Sequence, residues 1–230
     1  MPTTKLSPEK STALRSAHRR TSRGATKCAE LRAIAAELFL AHGYDGVSLD
    51  GIVRAAGGSK TNIYAFYGGK EGLFLAAIEA RCRHLQERLT ARDLAGLGLE
   101  EGLRALGRDM VDLLLEPEHL ALYRLVIGAS ARFPGLGEVW YQNGPLASRG
   151  VIAAFLAGHA GELAEGARLE DFARMFHDVA VMDQLHRALI GAMQDEAERE
   201  CAVDLALRAV LGKDVARLQH PSRPLRGTSG

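Results

Sequence analysis

Residues 57–61 read Gly-Gly-Ser-Lys-Thr, which combines flexible backbone, two hydroxyl groups and one cation and could therefore contact phosphate. The phosphate loop of nucleotide-binding proteins has Gly, four residues and then Gly-Lys-Ser/Thr, between a strand and a helix. Here Ser59 precedes Lys60, the two glycines are adjacent, and the preceding segment has a helical rather than a strand pattern. The motif therefore does not fit an ATP site.

The residues around this motif predict two short helices joined by a tight turn. Leu49–Ala56 and Ser59–Tyr67 are predicted to be helical, with Gly57-Gly58 as the turn. Ser48 and Ser59 precede the two helices and can cap them, because a serine hydroxyl accepts a hydrogen bond from a free backbone N–H. An earlier helix is indicated by apolar residues at helical spacing, namely Leu31, Ile34, Ala35, Leu38 and Phe39, and Gly43 is predicted to end it.

The second of the paired helices has the polar outer face that a helix-turn-helix requires. Ile63 and Tyr67 lie one turn apart and can face the preceding helices. Lysine can bind phosphate or a guanine edge, asparagine can pair with adenine, and threonine can contact a thymine methyl group. A tyrosine hydroxyl can donate to phosphate. The residues with these abilities are Lys60, Thr61, Asn62 and Tyr64. The alternative from the residues alone is an ordinary surface helix of a bundle.

The charge distribution also indicates a polyanionic partner at one end of the chain. Residues 1–70 hold eleven Lys/Arg and five Asp/Glu, a net charge of +6, whereas the other residues have a net charge of −5. A basic segment on an otherwise acidic chain is typical of nucleic-acid binding. The alternative is a solubilising tail.

The remainder of the sequence predicts an all-α protein, with a helical C-terminal part of several amphipathic segments. The segment 135–161 is predicted to form one helix interrupted at Gly144-Pro145, or two helices. Residues 169–191 and 194–211 are predicted to form the last two long helices. The expected organisation is a disordered basic arm (1–24), a helix-turn-helix domain (25–70), a larger helical domain (71–212) and a frayed tail (213–230).

Other functional classes find little support in the sequence. No nucleophile–base pair, metal-ligand set or cofactor loop is evident, so we expect no enzyme, no metal and no cofactor. No apolar run approaches the ~18 residues of a membrane span, and the polar N-terminus lacks the apolar region of a secretory signal. Three widely spaced cysteines suit a reducing compartment, which predicts a cytoplasmic protein.

The segment SLDGIVRAAGGSKTNIYAFYGGKEGLF, behind a first helix ending ELFLAHGYDGVS, resembles the DNA-binding domain of TetR-family transcriptional regulators. The resemblance covers residues 27–78 and continues more weakly into LYRLVIGASARFPGLGEVWYQNGP, which is similar to the AefR-like subgroup. It implies a homodimeric repressor that binds a pseudo-palindromic operator in double-stranded DNA and is released by a small apolar or amphipathic molecule. The DNA contacts that it implies are Ser48, Ser59, Lys60, Thr61, Asn62, Tyr64, Phe66 and Lys70.

The resemblance also implies that the helical domain (71–212) is a ligand-binding and dimerisation domain, so two further sets of residues are expected there. Aromatic and methionine side chains line apolar ligand sites, although they also fill cores. The candidate pocket residues are Met110, Tyr123, Phe133, Trp140, Tyr141, Phe155, Met175 and His177. The candidate dimer-interface residues, on the last two helices, are Met182, Leu185, Leu189, Cys201, Leu205 and Ala209. His177, Asp178, Asp183 and His186 are interpreted as surface polar residues rather than metal ligands.

Some residues depart from the family pattern. Asp50 places an acid near the expected phosphate track. Gly58, Gly68 and Gly69 are expected to loosen the helix-turn-helix. These glycines favour a second hypothesis, an all-α small-molecule-binding or scaffold protein with a degenerate helix-turn-helix.

Overall fold

The computed structural model describes residues 26–163, 166, 168–192 and 195–212. The predicted arm (1–24) and tail (213–230) lie outside this part. Regular structure in the described residues is helical, which confirms the all-α prediction. The helices are α1 (26–42), α2 (Leu49–Ala56), α3 (Lys60–Tyr67), α4 (Lys70–Thr90), α5 (Leu99–Leu115), α6 (Pro117–Ser130), α7 (Pro134–Asn143), α8 (Pro145–Ala157), α9 (Leu169–Leu189) and α10 (Glu196–Leu211), with a short 3-10 helix at Ala160–Glu162.

Local sequence signals explain where several helices begin. The side chain of Asp195 caps α10 and forms a reciprocal capping box with Glu198. Pro134 and Pro145 are the first residues of α7 and α8. Proline is tolerated there because the first backbone N–H of a helix makes no hydrogen bond within the helix. Residues 134–157 therefore form two helices, the second of the two arrangements that the sequence left open.

The chain forms two compact units. The first unit contains the described residues up to Arg88 together with Pro117–Ala147, and the second contains Leu89–Glu116 together with the described residues from Ser148 onward. The helix-turn-helix segment thus shares a unit with α6 and α7, which lie far from it in sequence.

The first unit has an aromatic core that supports the helix-turn-helix. Phe39 of α1 and Phe74 of α4 are fully buried, with ring centroids 4.9 Å apart in an edge-to-face arrangement. Ile52 of α2 and Ile63 of α3 are also fully buried in this core. Each of the first four helices therefore places at least one side chain in a common core.

The second unit is built on α5, α9 and α10. Gly107 of α5 allows a close approach, since a Cβ there would lie 2.9 Å from Val203 and 3.0 Å from Phe176. Outside the apolar contact, Arg108 of α5 donates two hydrogen bonds of 2.6 Å to Glu200 of α10. None of the helices within the described ranges has the length and apolar character to cross a lipid bilayer.

Candidate nucleic-acid interface

The segment from Ser48 to Gly68 forms a capped helix-turn-helix. Ser48 Oγ accepts a hydrogen bond of 3.0 Å from the Gly51 amide, and Ser59 Oγ accepts one of 3.2 Å from the Asn62 amide. Both predicted N-caps are thereby present. Because each oxygen acts as an acceptor here, each hydroxyl hydrogen is available to donate to an external acceptor such as phosphate.

The glycines that the sequence suggested would loosen this segment occupy positions that require them. Gly58 has φ of 105°, and Gly68 and Gly69 have φ of 72° and 126°. Side chains with a Cβ rarely adopt such values, so glycine suits the turn rather than weakening it. Gly68 also ends α3 in the left-handed conformation, with its amide bonded to the Tyr64 carbonyl. A degenerate helix-turn-helix is therefore not what the structure contains.

Two hydrogen bonds fix the N-terminal turn of α1 against the helix-turn-helix. The Lys27 ammonium donates to the Ala56 carbonyl at 2.8 Å, which caps the C-terminus of α2. The Tyr67 hydroxyl donates to the Cys28 carbonyl at 3.2 Å and ties the end of α3 to α1. Sequence spacing predicted that Ile63 and Tyr67 would face the other helices, but it gave no indication of the role of Lys27.

The remaining surface of α3 is exposed and carries most of the predicted DNA contacts. Tyr64 and Phe66 expose 59% and 63% of their surface, although large aromatic side chains normally pack inside a protein. Both rings are therefore accessible to a binding partner. Three further predicted contacts, Lys60, Thr61 and Asn62, are exposed as well.

An acidic side chain of α2 reaches this face. The carboxylate of Asp50 lies 2.8 Å from the ammonium of Lys60, and both side chains are more than half exposed. The acid noted in the sequence near the phosphate track therefore forms an ion pair with the first residue of α3. In the free protein this pair neutralises the one cation that α3 itself carries.

Lys70, the first residue of α4, lies over an aromatic ring rather than beside an acid. Its Nζ is 4.1 Å from the centroid of Tyr44, within cation–π range. Arg132, from the connection between α6 and α7, lies over the same ring at 5.3 Å and binds Asp45. Burial lowers the pKa of the Lys70 ammonium from its ordinary value; Asp45 opposes this change, and the like charge of Arg132 adds to it. Sequence reasoning missed this cluster.

Comparisons with known proteins find matches for both parts of the chain. Residues 31–77 match the family described as bacterial regulatory proteins of the tetR family, and residues 101–212 match the C-terminal domain of AefR-like transcriptional repressors. The DNA-binding transcriptional repressor TetR of Mycobacteroides abscessus is 29% identical over 184 residues, which cover 76% of this chain and 89% of that protein.

The chain belongs to the TetR family. A solved structure described as a TetR-family transcriptional regulator from Mesorhizobium loti has a TM-score of 0.73 at 26% identity, covering 83% of this chain and 97% of that one. The flavonoid-responsive regulator FrrA has a TM-score of 0.70 at 29% identity, covering 82% and 96%. The protein is accordingly a DNA-binding transcriptional regulator.

The candidate pocket residues of this TetR-family regulator lie in both units. In the first unit, Phe133 is buried in the core, Trp140 packs edge-to-face with Tyr123 at 5.3 Å, and Tyr141 is 45% exposed. In the second unit, Met110 is buried, whereas Phe155 and Met175 are half-buried. The sequence did not reveal this division.

His177 corrects one sequence interpretation, since it is buried rather than on the surface. It exposes 3% of its area, and its Nδ1 lies 2.9 Å from the Asp178 carboxylate, which Arg149 also contacts at 2.8 Å. Burial lowers the pKa of His177, while the Asp178 carboxylate opposes that change. Nowhere in the described ranges do three or more His, Cys, Asp or Glu residues form a group that could hold a metal ion.

The candidate interface residues occupy α9 and α10 of the second unit. Met182 and Cys201 are exposed, and Leu189, Leu205 and Ala209 are half-buried. Leu185 is buried within its own unit, with 4% of its surface exposed. Ile190, which the sequence analysis did not select, is 67% exposed at the end of α9.

Proposed function

We propose that this TetR-family regulator is a repressor that binds a pseudo-palindromic operator as a homodimer and leaves it when a small apolar or amphipathic molecule binds. The exposed face of α3 is the observation that carries the proposal. Two copies of α3 would enter successive major grooves of the operator. The basic residues of the arm (1–24) would add sequence-independent phosphate contacts. The protein would act in the cytoplasm as a binding protein and not as an enzyme.

Binding to DNA from the region upstream of the gene should be saturable and should weaken steeply with salt, because phosphate contacts release counterions. Fluorescence anisotropy at several salt concentrations measures both properties. Lys60→Ala and Asn62→Ala should change which operator positions are preferred, since these side chains face base edges. Tyr64→Phe and Lys70→Ala should instead weaken binding to all sequences, since they remove contacts to phosphate.

Selection of preferred sequences from a random pool distinguishes these two groups of variants. Arg83→Ala provides a matched control, because Arg83 is an exposed cation of α4 that pairs with Glu79 and is not among the predicted DNA contacts. If Lys60→Ala and Asn62→Ala both retain the wild-type preference, α3 is not the helix that reads the bases.

The proposed dimer rests on the apolar surface that α9 and α10 leave exposed. Met182→Glu should convert a dimer into a monomer, because it would bury an unpaired carboxylate at the interface. Sedimentation equilibrium at micromolar concentration measures the change. Ile127→Glu, an equivalent substitution at an exposed position of α6 (58% exposed), should leave the dimer intact. A wild-type monomer under these conditions contradicts the proposed assembly.

The effector is proposed by chemical class only. FrrA is described as flavonoid-responsive, so flavonoids are a suitable first probe for a related chain that is 29% identical to it. An effector can release the protein from DNA only if it binds the released state more tightly than the DNA-bound state. If the effector weakens operator affinity by some factor, operator DNA should weaken effector affinity by the same factor.

A further inference from the structure

The aromatic ring of Tyr44, between α1 and α2, is shared by two cations from distant parts of the chain. Lys70 Nζ lies 4.1 Å from the ring centroid, and the guanidinium carbon of Arg132 lies 5.3 Å from it. Tyr44 itself is held by Phe133, whose ring centroid is 4.4 Å away. The connection between α6 and α7, which supplies Arg132 and Phe133, is therefore built into the surface that presents Lys70.

Asp45 is next to Tyr44 in sequence, and both of its carboxylate oxygens accept hydrogen bonds from Arg132. Arg132 Nη1 donates to both carboxylate oxygens of Asp45, at 2.6 and 2.7 Å. Asp45 is also close enough to Lys70 to favour its charged form, while Arg132 disfavours it. The two cations thus compete for one carboxylate, and in this structure Arg132 holds it.

We propose that Arg132 is a positioning residue for DNA binding: by holding Asp45, it leaves the Lys70 ammonium available to a DNA phosphate. Without Arg132, the Asp45 carboxylate pairs with Lys70 and competes with the phosphate for the ammonium. This inference rests on the proposed function, because it concerns what keeps Lys70, one of the proposed phosphate contacts, available to DNA. A residue of the α6–α7 connection thereby acts on DNA binding through another residue, without touching DNA.

The test compares wild-type protein with Arg132→Gln and with two double variants that restore its net charge. We expect Arg132→Gln to weaken operator binding by about eightfold at 0.1 M salt and to make the salt slope shallower by about 0.9, the effect of one lost phosphate contact. Adding Asp45→Asn should restore both values, because no carboxylate then competes for Lys70. Adding Glu79→Gln should restore neither, because Glu79 pairs with Arg83 elsewhere on α4.

A second measurement does not depend on DNA. The pKa of Lys70, followed by NMR on specifically labelled lysine, should rise in Arg132→Gln and fall again in the double variant with Asp45→Asn. If the role of Arg132 is purely structural, adding Asp45→Asn should not restore operator affinity. If Arg132 itself contacts a phosphate, adding Asp45→Asn should not restore it either. Either of those results, or an unchanged Lys70 pKa in Arg132→Gln, overturns the proposal. Failure of the wild-type protein to bind DNA, together with the expected pKa changes, would count against the proposed function and not against the competition for Asp45.

Discussion

Replacement of Gly72 by alanine is expected to abolish operator binding and to destabilise the first unit. A Cβ at this position would lie 1.8 Å from the carbonyl oxygen of Tyr67 and 2.9 Å from its carbonyl carbon. These are backbone atoms at the end of α3, so no side-chain rotation can relieve the clash. The start of α4 must then move away from α3, which separates Lys70 from the exposed face of α3. We expect a loss of about 3 kcal/mol in the free energy of unfolding, at the upper end of overpacking costs.

Urea denaturation and anisotropy with operator DNA measure the two effects of Gly72→Ala. Gly128→Ala in α6 is the matched control, because no neighbouring atom lies within 4 Å of the position that its Cβ would occupy and α6 belongs to the same unit. It should raise the free energy of unfolding by about 0.5–1 kcal/mol, since alanine favours a helix over glycine. Wild-type affinity and stability in Gly72→Ala would show that the α3–α4 connection is less tightly constrained than these distances imply.

The helix-turn-helix could be predicted from the sequence because its determinants are local. Ser48 and Ser59 lie next to the helices that they cap, and the burial of Ile63 follows from helical periodicity alone. Asp50 lies within the same supersecondary motif, so the sequence predicted an acid near the phosphate track, although not its pairing with Lys60. The local pattern therefore predicted the fold of the motif and the exposure of Lys60, Thr61, Asn62 and Tyr64, whereas Phe66 was implied only by the family resemblance.

The rest of the site depends on contacts that no local pattern encodes. Arg132 and Asp45 are 87 residues apart, and nothing in either neighbourhood indicates that they meet. Composition grouped the aromatic residues into one candidate pocket, although they lie in two units. The spacing of His177 and His186 argues against a shared metal site and favours ordinary surface positions, but His177 is buried, with its Nδ1 2.9 Å from the Asp178 carboxylate. Burial of a single helical position depends on which neighbouring helices cover it.

Each of the two charged clusters of the site contains one acid near a cation that is predicted to contact DNA. At Asp45 the acid is occupied by Arg132, so Lys70 remains available. At Asp50 no second cation intervenes among the described residues, and the acid pairs directly with Lys60. The two acids therefore have opposite consequences for the cations that face DNA, and their removal should have different effects.

Replacement of Asp50 by asparagine is expected to strengthen DNA binding and to make it more dependent on salt. The ion pair with Lys60 is exposed and contributes only about 0–1 kcal/mol to stability, so its loss should leave the fold intact. The freed ammonium can then bind a guanine edge or an adjacent phosphate. If it binds phosphate, one added contact corresponds to about eightfold tighter binding at 0.1 M salt and a slope steeper by about 0.9. Anisotropy titrations at several salt concentrations measure both quantities.

A double-mutant cycle with Lys60→Gln decides whether the gain acts through Lys60 or through the general removal of a negative charge. If the ion pair restrains Lys60, Asp50→Asn should strengthen binding in the wild-type background and have little effect in the Lys60→Gln background. Asp171→Asn, which removes an equally exposed carboxylate from α9, controls for net charge and should change neither affinity nor slope. An equal gain in both backgrounds would mean that Asp50 merely repels phosphate. A gain confined to the wild-type background would mean that Asp50 of α2 limits the affinity of α3 for DNA through its ion pair with Lys60. A carboxylate at this position can also select cytosine, because it accepts a hydrogen bond from the cytosine amino group.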